Sequence, residues 1–170
     1  MDYFPNKSGF ECFRSSLCNL LIEENEIKLA KQVFDRFQDL ELVSGFETLG
    51  VNLALTPKLV RDLTNNKYQA VLQTAGFNYN VLNQPHEVYP KKLAKKISKN
   101  IQKDLERENI ILTPTSKIFT KNYLISTETP ELNLNHFRVQ RFDGKQINDG
   151  FIEKTPNNQQ ITGTLQIYKR

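Results

Sequence analysis

The chain has 170 residues, enough for one domain or two small lobes. Hydrophobic residues make up 38% and charged residues 25%, with mean hydropathy −0.53, yet 11 Phe and 6 Tyr supply core material that a disordered chain lacks. No apolar run approaches the roughly 20 residues of a membrane span, and two Cys exclude a disulfide-dense scaffold or a four-cysteine zinc site.

The first residues, Met1-Asp2-Tyr3-Phe4-Pro5, lack the basic and apolar regions of a secretory signal, so a reducing cytoplasm is the expected compartment. The net charge of +4 is concentrated in one stretch. Between Pro90 and Glu108 stand seven Lys or Arg against three acids, and the remainder balances at 16 bases and 16 acids.

In chain order, Glu11 to Leu21 reads as a helix with Phe13, Leu17, Leu20 and Leu21 on one stripe. Cys12, Ser15, Ser16 and Asn19 gather on another face of small polar side chains. A second helix is expected over Glu26 to Leu40. Thr56-Pro57 opens a short one through Leu63, and Lys67 to Thr74 reads as a further helix. A loop of Asn, Gln and Pro spans Asn78 to Pro90. Leu93, Ile97, Ile101 and Leu105 then mark an amphipathic helix with its lysines outward.

After Asn109 the pattern turns β-prone, with runs at Ile110–Leu112, Lys117–Thr120 and Asn122–Ser126. His136–Phe142 and Gln146–Ile152 flank Asp143-Gly144, a two-residue hairpin signal, and Gln160–Tyr168 offers a last strand. The expected class is α+β in a single domain, with a mainly helical lobe over residues 1–108 and an antiparallel β lobe over 109–170.

Cys12 is the first candidate for chemistry, because the N–H groups of a helix's first turn favour a thiolate. Taken alone, a buried inert thiol fits it as well. Cys18, beside Leu21, reads as packing. The chain has two histidines, and His86 lies in a polar loop with a surface role as its default. His136 opens a strand. Pairing Phe142 with Lys145 across Asp143-Gly144 puts Arg138 opposite Asp149, so His136 and Asp149 share a face. Asn148 then points to the other face unless a bulge shifts the register. A carboxylate beside the imidazole would fix its tautomer and stabilise the imidazolium.

Gly9-Phe10-Glu11-Cys12-Phe13-Arg14-Ser15-Ser16-Leu17 at one end, and His136-Phe137-Arg138-Val139 through Asn148-Asp149 at the other, resemble papain-like cysteine hydrolases. Within that group the chain is similar to the bacteriocin-processing, cysteine-39-type peptidase branch and to the N-terminal domain of the butirosin-biosynthesis acyltransferase. The resemblance implies a papain-like fold and acyl transfer through a thioester at Cys12, with His136 as base and Asp149 orienting it. It also implies an amide six positions before the nucleophile that holds the oxyanion. That position is Asn6 here where the peptidases carry Gln, with Ser16 and Asn19 lining the substrate cleft. The usual glycine after the nucleophile is Phe13, and the usual Asp-Pro after the second strand reads Asn148-Asp149-Gly150.

The expected partner is a peptide or a carrier-bound acyl group, with no cofactor and no metal. Lys91, Lys92, Lys95, Lys96, Lys99 and Lys103 would form a solvated face or a dock for an acidic partner. A nucleic-acid role for that helix is disfavoured because no aromatic residues interleave its lysines. A catalytically silent binding module of the same fold is the competing class.

Overall fold

In the computed structural model, which describes residues 2–6, 12–44, 53, 56–74, 92, 118–129, 134–157 and 159–169, the first helix is α1, Cys12–Glu23. Its expected stripe of Phe13, Leu17, Leu20 and Leu21 is buried, but so is every other residue from Cys12 to Ile22. A helix buried on all sides is a central one. Asn25 adopts φ 60°, and the Glu26 N–H reaches back to the Leu21 carbonyl at 2.8 Å. This left-handed cap ends α1 and leads directly into α2, Ile27–Ser44.

The same device closes α3, Thr56–Leu63, where Asn65 and Asn66 have φ of 51° and 64° and the Asn66 N–H bonds the Arg61 carbonyl at 2.8 Å. Pro57 takes an early helical position, as expected, while the Thr56 hydroxyl donates to the Leu53 carbonyl at 2.6 Å. No helix among the described residues is long and apolar enough to cross a membrane.

The strands are β1 (Tyr68–Thr74), β2 (Ile118–Phe119), β3 (Tyr123–Thr129), β4 (Leu134–Gln140), β5 (Lys145–Asn148), β6 (Phe151–Lys154) and β7 (Ile161–Lys169). They form one antiparallel sheet in the order β1-β7-β3-β4-β5-β6, with β2 also pairing β7. The protein is therefore mixed α+β, as expected.

Three expectations are corrected. Lys67–Thr74 was expected to be helical and is instead β1, paired with β7 from Tyr68↔Lys169 to Thr74↔Gly163. The run is too short for periodicity to separate strand from helix, and the asparagine cap turns it out of α3 and onto β7. The sheet consequently begins in the half of the chain expected to be mainly helical.

Gln146–Ile152 is not one strand, because Asp149 and Gly150, with φ of 51° and 90°, form a two-residue turn between β5 and β6. A Cβ on Gly150 would also lie 3.1 Å from the Phe4 carbonyl oxygen and the Pro5 Cα. Finally, the β4–β5 register is one residue off the expected one. The observed pairs are Val139↔Ile147 and Gln140↔Gln146, and Arg141 N–H bonds the Lys145 carbonyl at 2.9 Å. The loop is thus the three residues Phe142-Asp143-Gly144, with Gly144 at φ 81°, which is a turn followed by a glycine bulge.

The core lies between α1 and the sheet. Phe13 meets Phe137 of β4 edge-on at 5.1 Å between ring centroids and Phe37 of α2 at 6.0 Å. Ile110–Leu112, the loop with His86, and the lysine stretch with Lys91, Lys95, Lys96, Lys99 and Lys103 lie outside the described residues; Lys92 is helical and exposed.

Candidate active site

The site begins where β5 ends. Arg141 donates its N–H to β5, and alternation along an antiparallel strand turns the N–H groups of Val139 and Phe137 to the same side. Past Asn148 the chain bends into the Asp149-Gly150 turn, so β5 offers Phe137 no ladder partner. The first residue of α1 fills that gap, and the Phe137 N–H donates to the Cys12 sulfur. This contact brings the thiol to the backbone next to His136.

The bulge at Gly144 settles which side chain meets the imidazole. With Val139 opposite Ile147, the even-numbered residues His136, Arg138, Gln140, Gln146 and Asn148 share a face. His136 Nε2 lies 2.6 Å from Asn148 Oδ1, and Asp149 Oδ1 stands further off, at 3.6 Å. The expected acid is therefore near the ring but is not its nearest partner. Asn148, expected on the opposite face, takes that place because of the one-residue register shift. With the amide oxygen accepting, Nε2 carries the proton and Nδ1 is the basic nitrogen. The His136 side chain is 19% exposed, so the ring is largely enclosed yet reachable.

The small polar face of α1 is not an open cleft. Ser15, Asn19 and Glu23 recur at every fourth position and hold residues 3–5 along the helix. The Phe4 N–H donates to Asn19 Oδ1 at 2.7 Å, Asn19 Nδ2 donates back to the Phe4 carbonyl at 3.0 Å, and Ser15 Oγ donates to the Pro5 carbonyl at 2.9 Å. The Tyr3 hydroxyl donates to Glu23, and the Phe4 ring stacks on Phe34 at 4.7 Å. This strap delivers Asn6, whose Nδ2 donates to Asp149 Oδ1 at 3.0 Å.

Of the residues expected to bind substrate, Asn19 is 1% exposed and grips the chain's own backbone, and Ser16 is 4% exposed. Asn6 faces the Asp149 carboxylate rather than an open oxyanion position. The strap had one legible trace, Tyr3-Phe4-Pro5, an apolar cluster too short to show periodicity. No group of three or more His, Cys, Asp or Glu suited to a metal occurs among the described residues.

The N–H groups of the first turn were expected to favour a thiolate at Cys12, with a buried inert thiol as the other reading. Burial pushes its thiol up, and the Asp149 carboxylate adds to that rise, against the lowering by the N–H groups of Phe137, Phe13 and Cys12 itself. Cys18 is fully buried, donates to the Ala30 carbonyl at 3.4 Å, and is also pushed up, by burial first. Tyr3 and Tyr68 are both raised to about 12, again chiefly by burial.

All four groups keep their protons in the folded state at a pH where the unfolded chain loses them, from ordinary values of 9.0 for Cys and 10.0 for Tyr. The folded state then binds more protons, so stability falls as pH rises. Thermal melts are expected to lose stability progressively above about pH 9. Melting temperatures that hold level or climb between about pH 9 and 11 would contradict this assignment.

No protein-family model, curated protein or solved structure matches the chain.

Proposed function

We propose that this protein is a cysteine-dependent acyl-transfer enzyme of papain-like architecture, a peptidase, amidase or acyltransferase acting on a peptide or a carrier-bound acyl group. One observation carries the reading. The sheet edge that holds the Cys12 sulfur through the Phe137 N–H also presents, one residue earlier, an imidazole oriented by Asn148 at 2.6 Å. Nucleophile, base and orienting group would come from three separate elements, α1, β4 and β5.

The chemistry follows from the protonation states. The thiol is neutral at rest, so His136 acts as a general base and takes the Sγ proton as sulfur attacks the substrate carbonyl carbon. The N–H groups of α1's first turn would receive the developing oxyanion. The imidazolium, stabilised by Asn148 and Asp149, returns its proton to the leaving group as the carbonyl–leaving-group bond breaks. The resulting thioester passes its acyl group to water or to an acceptor nucleophile, regenerating the thiol.

The alternative, a catalytically silent binding module, draws on the burial of Cys12, which is 7% exposed, and on the strap across α1. Iodoacetamide labelling at neutral pH distinguishes the two. In an enzyme Cys12 reacts much faster than Cys18, and His136→Ala removes the difference. Equal slow labelling of both thiols in the wild-type protein would favour the silent module.

A further inference from the structure

The oxygen of Asp149 that lies nearest His136 is the same oxygen that accepts from Asn6. Oδ1 stands 3.0 Å from Asn6 Nδ2 and 3.6 Å from His136 Nε2, while Asn148 Oδ1 holds that ring nitrogen at 2.6 Å. Two acceptors thus compete for one ring N–H. A carboxylate is the stronger acceptor, yet the structure gives the closer contact to the amide. We propose that Asn6 is a positioning residue that holds the Asp149 carboxylate back from His136, so that Asn148 and not Asp149 sets the imidazole's partner.

Several features of the fold support this assignment. Asp149 sits at the first position of a tight turn with φ 51°, and its side chain is 40% exposed, so its carboxylate is not locked into the core. Asn6 itself is anchored. The residues before it are gripped by Ser15 and Asn19, and Gly150 packs against Phe4 and Pro5. The N-terminal strap and the β5–β6 turn therefore meet at one hydrogen bond.

The consequence concerns charge. A carboxylate in direct contact with Nε2 would stabilise the imidazolium more than an amide oxygen does, making His136 a stronger base and a poorer acid. Held at 3.6 Å, it leaves the closer contact with Nε2 to Asn148. The titratable and charged groups around the imidazole, among the described residues, are Cys12 on α1, Asp149 on the turn, and Arg138 on β4 with its partner Glu153 on β6 at 3.3 Å. Of these, Asp149 accepts from Asn6 at 3.0 Å.

The inference deepens the catalytic reading of this site, but its test does not require turnover. The chain has two histidines, so His136 can be followed by NMR titration of imidazole-labelled protein, with His86→Ala assigning the signals. Asn6→Ala is expected to move the His136 midpoint to higher pH, because the released carboxylate closes on Nε2. Asp149→Asn in the Asn6→Ala background should abolish that upward move.

An unchanged midpoint in Asn6→Ala would overturn the proposal, as would an upward move that persists when Asp149 is Asn. Failure of the enzyme reading shows separately, as wild-type Cys12 labelling no faster than Cys18. Asn6 is partly exposed and outside the core, and the fold of each variant is checked in the same spectra.

Discussion

Phe137→Ala should be the most destabilising core substitution in the described residues, at about 3–5 kcal/mol. The ring is 2% exposed and sits beneath the start of α1, edge-on to Phe13 at 5.1 Å, and Phe13 in turn meets Phe37 of α2 at 6.0 Å. Truncation opens a cavity where helix, sheet and second helix meet, and three elements cannot all collapse into it. Phe137→Leu keeps most of the volume and should cost less than about 1.5 kcal/mol.

Phe151 provides the contrast. It is 73% exposed on β6, and its alanine variant should stay within about 0.5 kcal/mol of wild type. Chemical denaturation of the three variants decides the matter. A Phe137→Ala midpoint close to that of Phe151→Ala would show that α1 does not pack on β4 as described. The same variant carries a functional consequence, because the Phe137 N–H holds the Cys12 sulfur. Under the proposed function, movement of α1 away from β4 should also slow Cys12 labelling, because it takes the sulfur from the backbone beside His136.

The elements that could be read from sequence are those whose signal is local. The apolar stripe of α1, the Thr56-Pro57 start of α3 and the strands around Asp143-Gly144 each follow from a few adjacent residues, and each has its counterpart in the fold. What escaped depends on partners far along the chain. Tyr68–Thr74 becomes a strand because β7, some 90 residues later, supplies its ladder, and no feature within seven residues announces that.

The small polar face of α1 was legible as a face but not in its purpose. Asn19 and Ser15 look like a cleft lining until Phe4 and Pro5 are seen hydrogen-bonded to them. The imidazole's nearest partner was missed by one position for a geometric reason. Phe142-Asp143-Gly144 accommodates either a two-residue turn or a three-residue turn with a glycine bulge, and the choice flips every downstream side chain. The bulge moves Asn148 onto the His136 face and leaves Asp149 at the start of the next turn.

That distinction yields the sharpest functional prediction. Measured as the rate of Cys12 alkylation at neutral pH, His136→Ala sets the floor. Loss of a general base lowers the rate by about 10²–10⁴-fold. Asn148→Ala removes the 2.6 Å contact with Nε2 but leaves the base in place. A hydrogen bond to a group that becomes charged contributes about 1.5–3 kcal/mol, so a loss of roughly 10- to 100-fold is expected.

Asp149→Ala should have a smaller effect, because two consequences oppose each other. The imidazolium loses a carboxylate at 3.6 Å, which slows proton transfer, while the Cys12 thiol loses one of the groups that hold it up, which favours the thiolate. The order of rates is then wild type, Asp149→Ala, Asn148→Ala and His136→Ala, from fastest to slowest. If Asp149→Ala falls to the level of His136→Ala while Asn148→Ala stays near wild type, the carboxylate orients the base. The amide contact would then be incidental to the chemistry.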